Sequence, residues 1–400
     1  MKYLLSFHNL FHYSNRHFVY LEMLCFVGMV FSIFSCVRKN TLTYEDIDPI
    51  RIGEISSMSG SQATYGLSAH QGMRLAVQEV NQKGGVHGKL IKMISLDSWG
   101  KPDQSEKAMN ELILHEKVLA VVTGVISSNA LAMVPIAQKH KIPILNSISS
   151  HSGVTDQGGY VFRTCLTDHF QAFSMAKFAW GVLGFKKVAV LKNKGSEYSE
   201  GLAQAFSAAF KKQGGVVIEN QSYLTGETDF TTQLNAIRAK KPQAIYLPGY
   251  YTEVSLIVRK ARALGIIVPF LGGDAWDSFK LQEMGGESFQ GSYFSGFYFS
   301  EKPTTRLKGF LERYQKVYHT QPDGLALMGY ETIQVLVRAI EEAKSLDSEG
   351  VRESLLSIES IETLTGEFTM DGQGNPQGRS AVILMIEKNG NFKCRATVSP

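Results

Sequence analysis

Residues 50–85 read IRIGEISSMSGSQATYGLSAHQGMRLAVQEVNQKGG, and the fold is decided here. Residues 50–55 alternate in the manner of a β-strand, and residues 56–66 are rich in turn-forming Ser and Gly. A helix follows, because Ala69, Met73, Ala76, Val77 and Val80 recur at helical spacing and share one face. Gly84-Gly85 ends it. The next segments repeat the alternation. Residues 90–96 read as a strand, 102–115 as a helix, 118–124 (VLAVVTG) as a short apolar strand covered on both faces, 131–140 as a helix and 143–146 as a strand. Strand and helix taking turns in this way define βαβ units around a parallel sheet.

The pattern then restarts. Strands at 187–191 (KVAVL), 216–223, 244–248 and 268–272 alternate with helices at 201–213, 230–240 and 252–264. Two α/β halves of similar layout emerge, without a detectable sequence repeat and without a Pro/Ser/Gly-rich linker between them. That combination predicts several chain crossings and a hinge. The chain length of 400 residues agrees, since one domain takes ~150.

Composition excludes several classes. A hydrophobic fraction of 44% and a charged fraction of 20% exclude a disordered or collagen-like chain. The net charge of +4 is too small for a nucleic-acid partner without a basic patch, and Lys186-Lys187 and Lys240-Lys241 are isolated pairs. Four cysteines exclude a disulfide scaffold, and the absence of CxxC removes zinc and thioredoxin-type sites. Whether Cys165 and Cys394 pair is open at this level.

The amino terminus points to export. Residues 18–35 are mostly apolar and follow Arg16 and His17, but Glu22 cuts the clean run to 23–34. That is short for a membrane span of about 20 residues and fits a signal-peptide core. The run ends at Ile33-Phe34-Ser35-Cys36, which resembles a bacterial lipobox with Cys36 as the lipidated residue. A conventional signal peptide or an uncleaved anchor helix are the alternatives.

In open α/β sheets ligands sit beyond the carboxyl ends of the strands. Here those loops span 57–65, 124–129, 147–152, 193–198, 249–253 and 273–277, and they hold hydroxyls, tyrosines, a tryptophan and a few acids. Enzyme motifs are missing from the sequence: no GxGxxG follows the first strand, and there is no P-loop, GxSxG elbow or HExxH. A non-catalytic receptor without a cofactor is the better reading.

Several motifs carry a family resemblance over residues 50–392. They are Ser59-Gly60 with Tyr65-Gly66, the helix end Glu79–Gly88, Tyr160–Thr164 with Asp168 and Gln171, Gly226–Phe230, Pro248–Glu253, Phe270–Ser278 and Gly329–Thr332. In order and spacing the chain resembles the type I periplasmic solute-binding proteins of ABC importers, in the branched-chain (leucine/isoleucine/valine-type) amino-acid receptor group.

The resemblance implies two doubly wound parallel-sheet lobes joined by a hinge of three crossings. It divides the chain into a signal peptide (1–35), a tether (36–49), lobe 1 (50–167 plus 301–365) and lobe 2 (168–300 plus 366–400). Hinge segments are then expected near 165–168, 298–301 and 365–368. A ligand α-carboxylate would meet Ser127 or Ser128 and Ser149 and Ser150, and an ammonium group Asp274 or Asp168. Tyr65, Tyr198, Tyr250, Trp276 and Tyr330 would form aromatic walls. The implied partners are an amino acid, a membrane permease and, through Cys36, the membrane itself; the implied receptor is a monomer outside the cytoplasm, free of nucleic acid, metal and cofactor. A sensory module serving a separate partner, or a receptor for amides or urea-like solutes, is the alternative function.

Overall fold

The computed structural model describes residues 48–299 and 303–400. The expected signal peptide, Cys36 and the tether up to residue 47 lie outside the described residues.

The quoted stretch forms β1 (Ile50–Ser56) and α1 (Ala63–Gln82). β1 lies between two parallel neighbours, β2 (Ile91–Asp97) and β3 (Ala120–Gly124). β4 (Ile144–Asn146) and β5 (Val161–Arg163) extend the sheet in the order β2-β1-β3-β4-β5. Every residue of β3 is buried, as an apolar run covered on both faces must be. The crossovers are α1, α2 (Pro102–Leu114) and α3 (Ser127–His140).

The second half repeats this plan. After α4 (Asp168–Gly181) come β6 (Lys187–Asn193), α5 (Glu197–Lys212), β7 (Val216–Tyr223), α6 (Thr231–Lys240), β8 (Ala244–Tyr246), α7 (Tyr251–Ala263), β9 (Phe270–Gly272), α8 (Phe279–Gly285) and β10 (Tyr293–Gly296). The strands run in parallel in the order β7-β6-β8-β9-β10. In both sheets the first strand is flanked by the second and third, so each has its switch point at the same place, between the first and third strands. That is where a doubly wound sheet opens a crevice for a ligand.

Beyond β10 the chain returns to the first lobe. α9 (Thr305–Tyr318) and α10 (Gly324–Glu342) pack on α1, and α11 (Ser348–Ser357) follows. β11 (Ile361–Thr363), β12 (Gly366–Met370) and β13 (Pro376–Gln377) make a small antiparallel sheet. Only then do β14 (Ala381–Ile386) and β15 (Phe392–Val398) add antiparallel strands to the second sheet beside β10.

This corrects the boundary expected at 366. β12 pairs with β11, and Gly374 accepts a hydrogen bond from the Arg163 N–H at 2.9 Å, so residues 366–377 stay with the first lobe. The third crossing therefore falls between Gln377 and Ala381, not at 365–368. Residues between Arg163 and Asp168 join the two halves; the crossing expected near 298–301 extends outside the described residues.

One hydrophobic core covers the α1/α10 face of the first sheet and continues through Phe162, Cys165 and Leu166 into the second lobe. A separate core lies under α2 and α3. Cys165 is buried and Cys394 half-buried, and both are free thiols.

Candidate ligand cleft

The strand ends deliver their side chains through first helical turns. α3 begins at Ser127 and α5 at Glu197, each four residues earlier than apolar periodicity alone predicts. The earlier starts place Ser127 and Tyr198 within those first turns. Tyr65 sits in the first turn of α1, and Tyr250 is the residue just before α7. Asp274 opens a single 3₁₀ turn after β9.

Five of the expected residues share one cavity: Tyr65, Ser127, Tyr198, Tyr250 and Asp274 line it together with Ile126, Ile148, Ala275 and Leu325. The Tyr198 and Tyr250 rings stack at 5.1 Å, and Tyr65 tilts against Tyr250 at 5.7 Å. The Tyr198 hydroxyl donates to Asp274 Oδ1 at 2.8 Å and accepts the Ala275 N–H at 3.2 Å. Gln171 Oε1 accepts the Asp274 N–H at 3.2 Å and the Ser295 hydroxyl at 2.9 Å, fixing the turn from behind.

Electrostatically the cavity wants a cation. Burial raises the Asp274 carboxyl to about 6, with the Tyr198 hydroxyl and Gln171 pulling the other way. Burial likewise raises Tyr65, Tyr198 and Tyr250, which stay neutral hydrogen-bonding phenols. Opposite in character is the start of α3, where Ser127 is buried and its Oγ accepts the His151 N–H at 3.3 Å. The amino terminus of a helix offers free N–H groups and a positive dipole end to an anion. Ile126, Ile148 and Leu325 supply apolar wall between the two poles.

Closure is visible in the contacts between lobes. The Tyr65 hydroxyl, from the first lobe, donates to Ala275 O at 2.9 Å and accepts the Tyr251 N–H at 3.0 Å, both in the second. The Tyr251 hydroxyl returns the contact by donating to Ser61 O at 2.8 Å. In this closed arrangement the cavity is about 20 Å³, room for about one water.

The remaining expected residues lie elsewhere. Asp168 and Ser150 are buried behind the cavity rather than lining it, and the Asp168 N–H donates to Ser150 O at 2.8 Å. Burial pushes the Asp168 carboxyl up to about 8; the Ser150 hydroxyl beside it opposes that, but neither carboxylate oxygen makes a hydrogen bond of good geometry. The Ser149 hydroxyl donates to Val125 O at 2.6 Å and so closes a strand end. Ser128 turns to Asn129 and is half-buried. Trp276 is fully buried in the second-lobe core, edge-on to Phe289 at 5.2 Å. Tyr330 packs on Phe310 and donates to Glu79 Oε2 at 2.8 Å, in a separate groove along α1 and α10.

Five contributors lie outside the expected set, Ala275 of the Phe270–Ser278 motif among them. Ile126 and Ile148 lie inside the strand-end loops but carry no polar group to mark them. Tyr251 was visible in the Pro248–Glu253 motif; its crossing contact was not. Leu325 carries no signal short of the fold.

Two switch-point crevices facing each other across a chain-crossing hinge define a two-lobed solute receptor with the type I periplasmic binding protein fold. The comparisons agree. The chain matches the periplasmic binding protein family over residues 49–391, and it belongs to that family. It is similar to Leu/Ile/Val-binding protein homolog 3 of Brucella melitensis, 28% identical over 82% of this chain and 88% of that protein. A leucine-, isoleucine-, valine-, threonine- and alanine-binding protein of Pseudomonas aeruginosa is 25% identical over 82% of this chain and 87% of its own length. Among solved structures, the leucine binding protein LivK of Thermotoga maritima superposes with a TM-score of 0.83 at 33% identity, covering 88% of this chain and 99% of that one. The branched-chain amino acid transporter substrate binding protein LivJ of Streptococcus pneumoniae, solved with isoleucine, gives 0.82 at 28% identity over 88% and 100%. The family is one of extracytoplasmic substrate-binding receptors of ABC transporters, and its members are not an enzyme family.

Proposed function

We propose that this receptor captures an aliphatic amino acid of the branched-chain type between its lobes and presents it to an ABC permease. One observation carries the reading: a single cavity has an ionisable carboxylate, Asp274, from one lobe, a helix amino terminus at Ser127 from the other, and Ile126, Ile148 and Leu325 beside them. The helix start suits an α-carboxylate. Asp274 suits an α-ammonium, whose charge would restore the ionisation that burial opposes. The apolar wall suits an aliphatic side chain and disfavours urea-like solutes, whose polar groups it would leave unpaired. The relatives named above support the same class.

A closed cavity with room for about one water does not admit an amino acid, so entry requires the lobes to separate. Ligand then shifts the balance by its extra contacts in the closed form. Outside the described residues, Cys36 would tether the mature receptor by lipid; acyl labelling that persists in Cys36→Ser overturns that anchor.

Thermal unfolding tests the ligand class. Leucine, isoleucine and valine raise the melting temperature with the logarithmic concentration dependence of native-state binding, and urea and acetamide leave it unchanged. No rise with any aliphatic amino acid overturns the assignment.

A further inference from the structure

Beside the ligand cavity, the lobes meet again at the amino terminus of α10. Asp277, in the turn after β9, accepts the Gly324 N–H at 2.9 Å. Asp323 caps the same helix, accepting the Ala326 N–H at 2.9 Å and the Ser68 hydroxyl of α1. Asp323 has its partners within the first lobe, whereas Asp277 reaches it from the second. The approach is close enough to require glycine, because a methyl group on Gly324 would lie 2.4 Å from Asp277 Oδ2. Two acids from opposite lobes therefore converge on one helix end, and opening the lobes separates them.

We propose that Asp277 is a positioning residue for lobe closure, and that the Asp277–Asp323 pair takes up one proton as the lobes close, so that acid favours the closed receptor. This rests on the two-lobe capture reading above. Like charges repel strongly where water is excluded, and Asp277 has only the Gly324 N–H to offset its burial beside Asp323. Burial, then Asp323, pushes the Asp277 carboxyl up to about 8, and burial also raises Asp323. Asp274 adds a further repulsion from the same turn. Tyr298 after β10 and Tyr314 of α9 face the pair, and both are held above their ordinary range, so they stay neutral as it titrates. Glu387 and Lys393 line the same groove with opposite charges. The sign follows: the closed form binds the proton more tightly than the hydrated open form. Closure is therefore favoured as pH falls and is lost as pH rises through about 8.

Small-angle X-ray scattering of the full chain, without added amino acid, from about pH 5.5 to about pH 9, reads closure directly. The radius of gyration grows with pH in the unmodified chain, the closed-to-open ratio falling by up to about tenfold per pH unit. Asp277→Asn, which keeps an acceptor but no charge, is compact at every pH. Gly324→Ala is expanded at every pH, because the methyl group occupies the acceptor's place. An unmodified chain whose size ignores pH, or an Asp277→Asn chain that follows the same profile, overturns the proposal; so does a Gly324→Ala chain as compact as the unmodified one in acid. Failure of leucine to bind would overturn the ligand assignment alone, since the scattering uses none.

Discussion

Asp274 and Asp168 are both buried acids near the cleft, yet their surroundings give them different work. Asp274 accepts the Tyr198 hydroxyl and lines the cavity, whereas Asp168 sits behind it with neither oxygen well paired. The sequence separates these two acids by one feature, that only Asp274 follows a strand directly. It ranks the aromatics less well: Trp276, two residues further on, has turned into the core. Asp274 must be ionised to meet an ammonium group. Its carboxyl stands near 6, so the contribution of Asp274 to leucine affinity is constant above that pH and weakens by up to about tenfold per unit below it. Asp274→Asn weakens binding by about 10–150-fold at neutral pH and abolishes the acid limb, as loss of a charged hydrogen bond of about 1.5–3 kcal/mol demands. Calorimetric titration across pH checks both, and an acid limb that survives in Asp274→Asn places the ammonium elsewhere.

At the scale of elements, the strand–helix alternation was legible because apolar periodicity survives in one chain. The turn from Gly366 to Gln377 was not, because a short hairpin has no periodicity and its sheet depends on which neighbour offers an edge. Helix faces were legible only in part. Tyr330 lies on α10 in a motif that points to the cleft, yet α10 presents that position to Glu79 on α1. The reason lies in how the two helices meet. A methyl group on Gly72 would lie 1.8 Å from Ala326 O, and one on Gly329 would lie 2.1 Å from Ala69 O, so the helices cross backbone to backbone and their rotation is fixed. Gly72→Ala or Gly329→Ala forces them apart at a buried contact and destabilises the fold by about 1–3 kcal/mol, against the helix-propensity gain of about 1 kcal/mol that an isolated helix would show. Chemical denaturation measures the sign. A rise in the midpoint would mean that this contact is looser than the geometry requires.

For the whole molecule, the question is what holds the two halves shut, since a receptor must both retain its solute and release it. Tyr65 stands at the centre of the answer. Its hydroxyl is satisfied only when the lobes are closed, donating to Ala275 O and accepting the Tyr251 N–H. Tyr65→Phe keeps the ring and leaves two buried backbone groups of the second lobe without their partner, a loss of about 1–3 kcal/mol confined to the closed form. Encounter occurs on the open form, so the association rate should stay within about threefold. The dissociation rate should rise by about 5–150-fold, following the same 1–3 kcal/mol at 1.4 kcal/mol per factor of ten. Stopped-flow fluorescence with leucine separates the two rates. A variant that lost affinity through slower association, with dissociation unchanged, would show that Tyr65 shapes the entrance and that closure is held by other contacts.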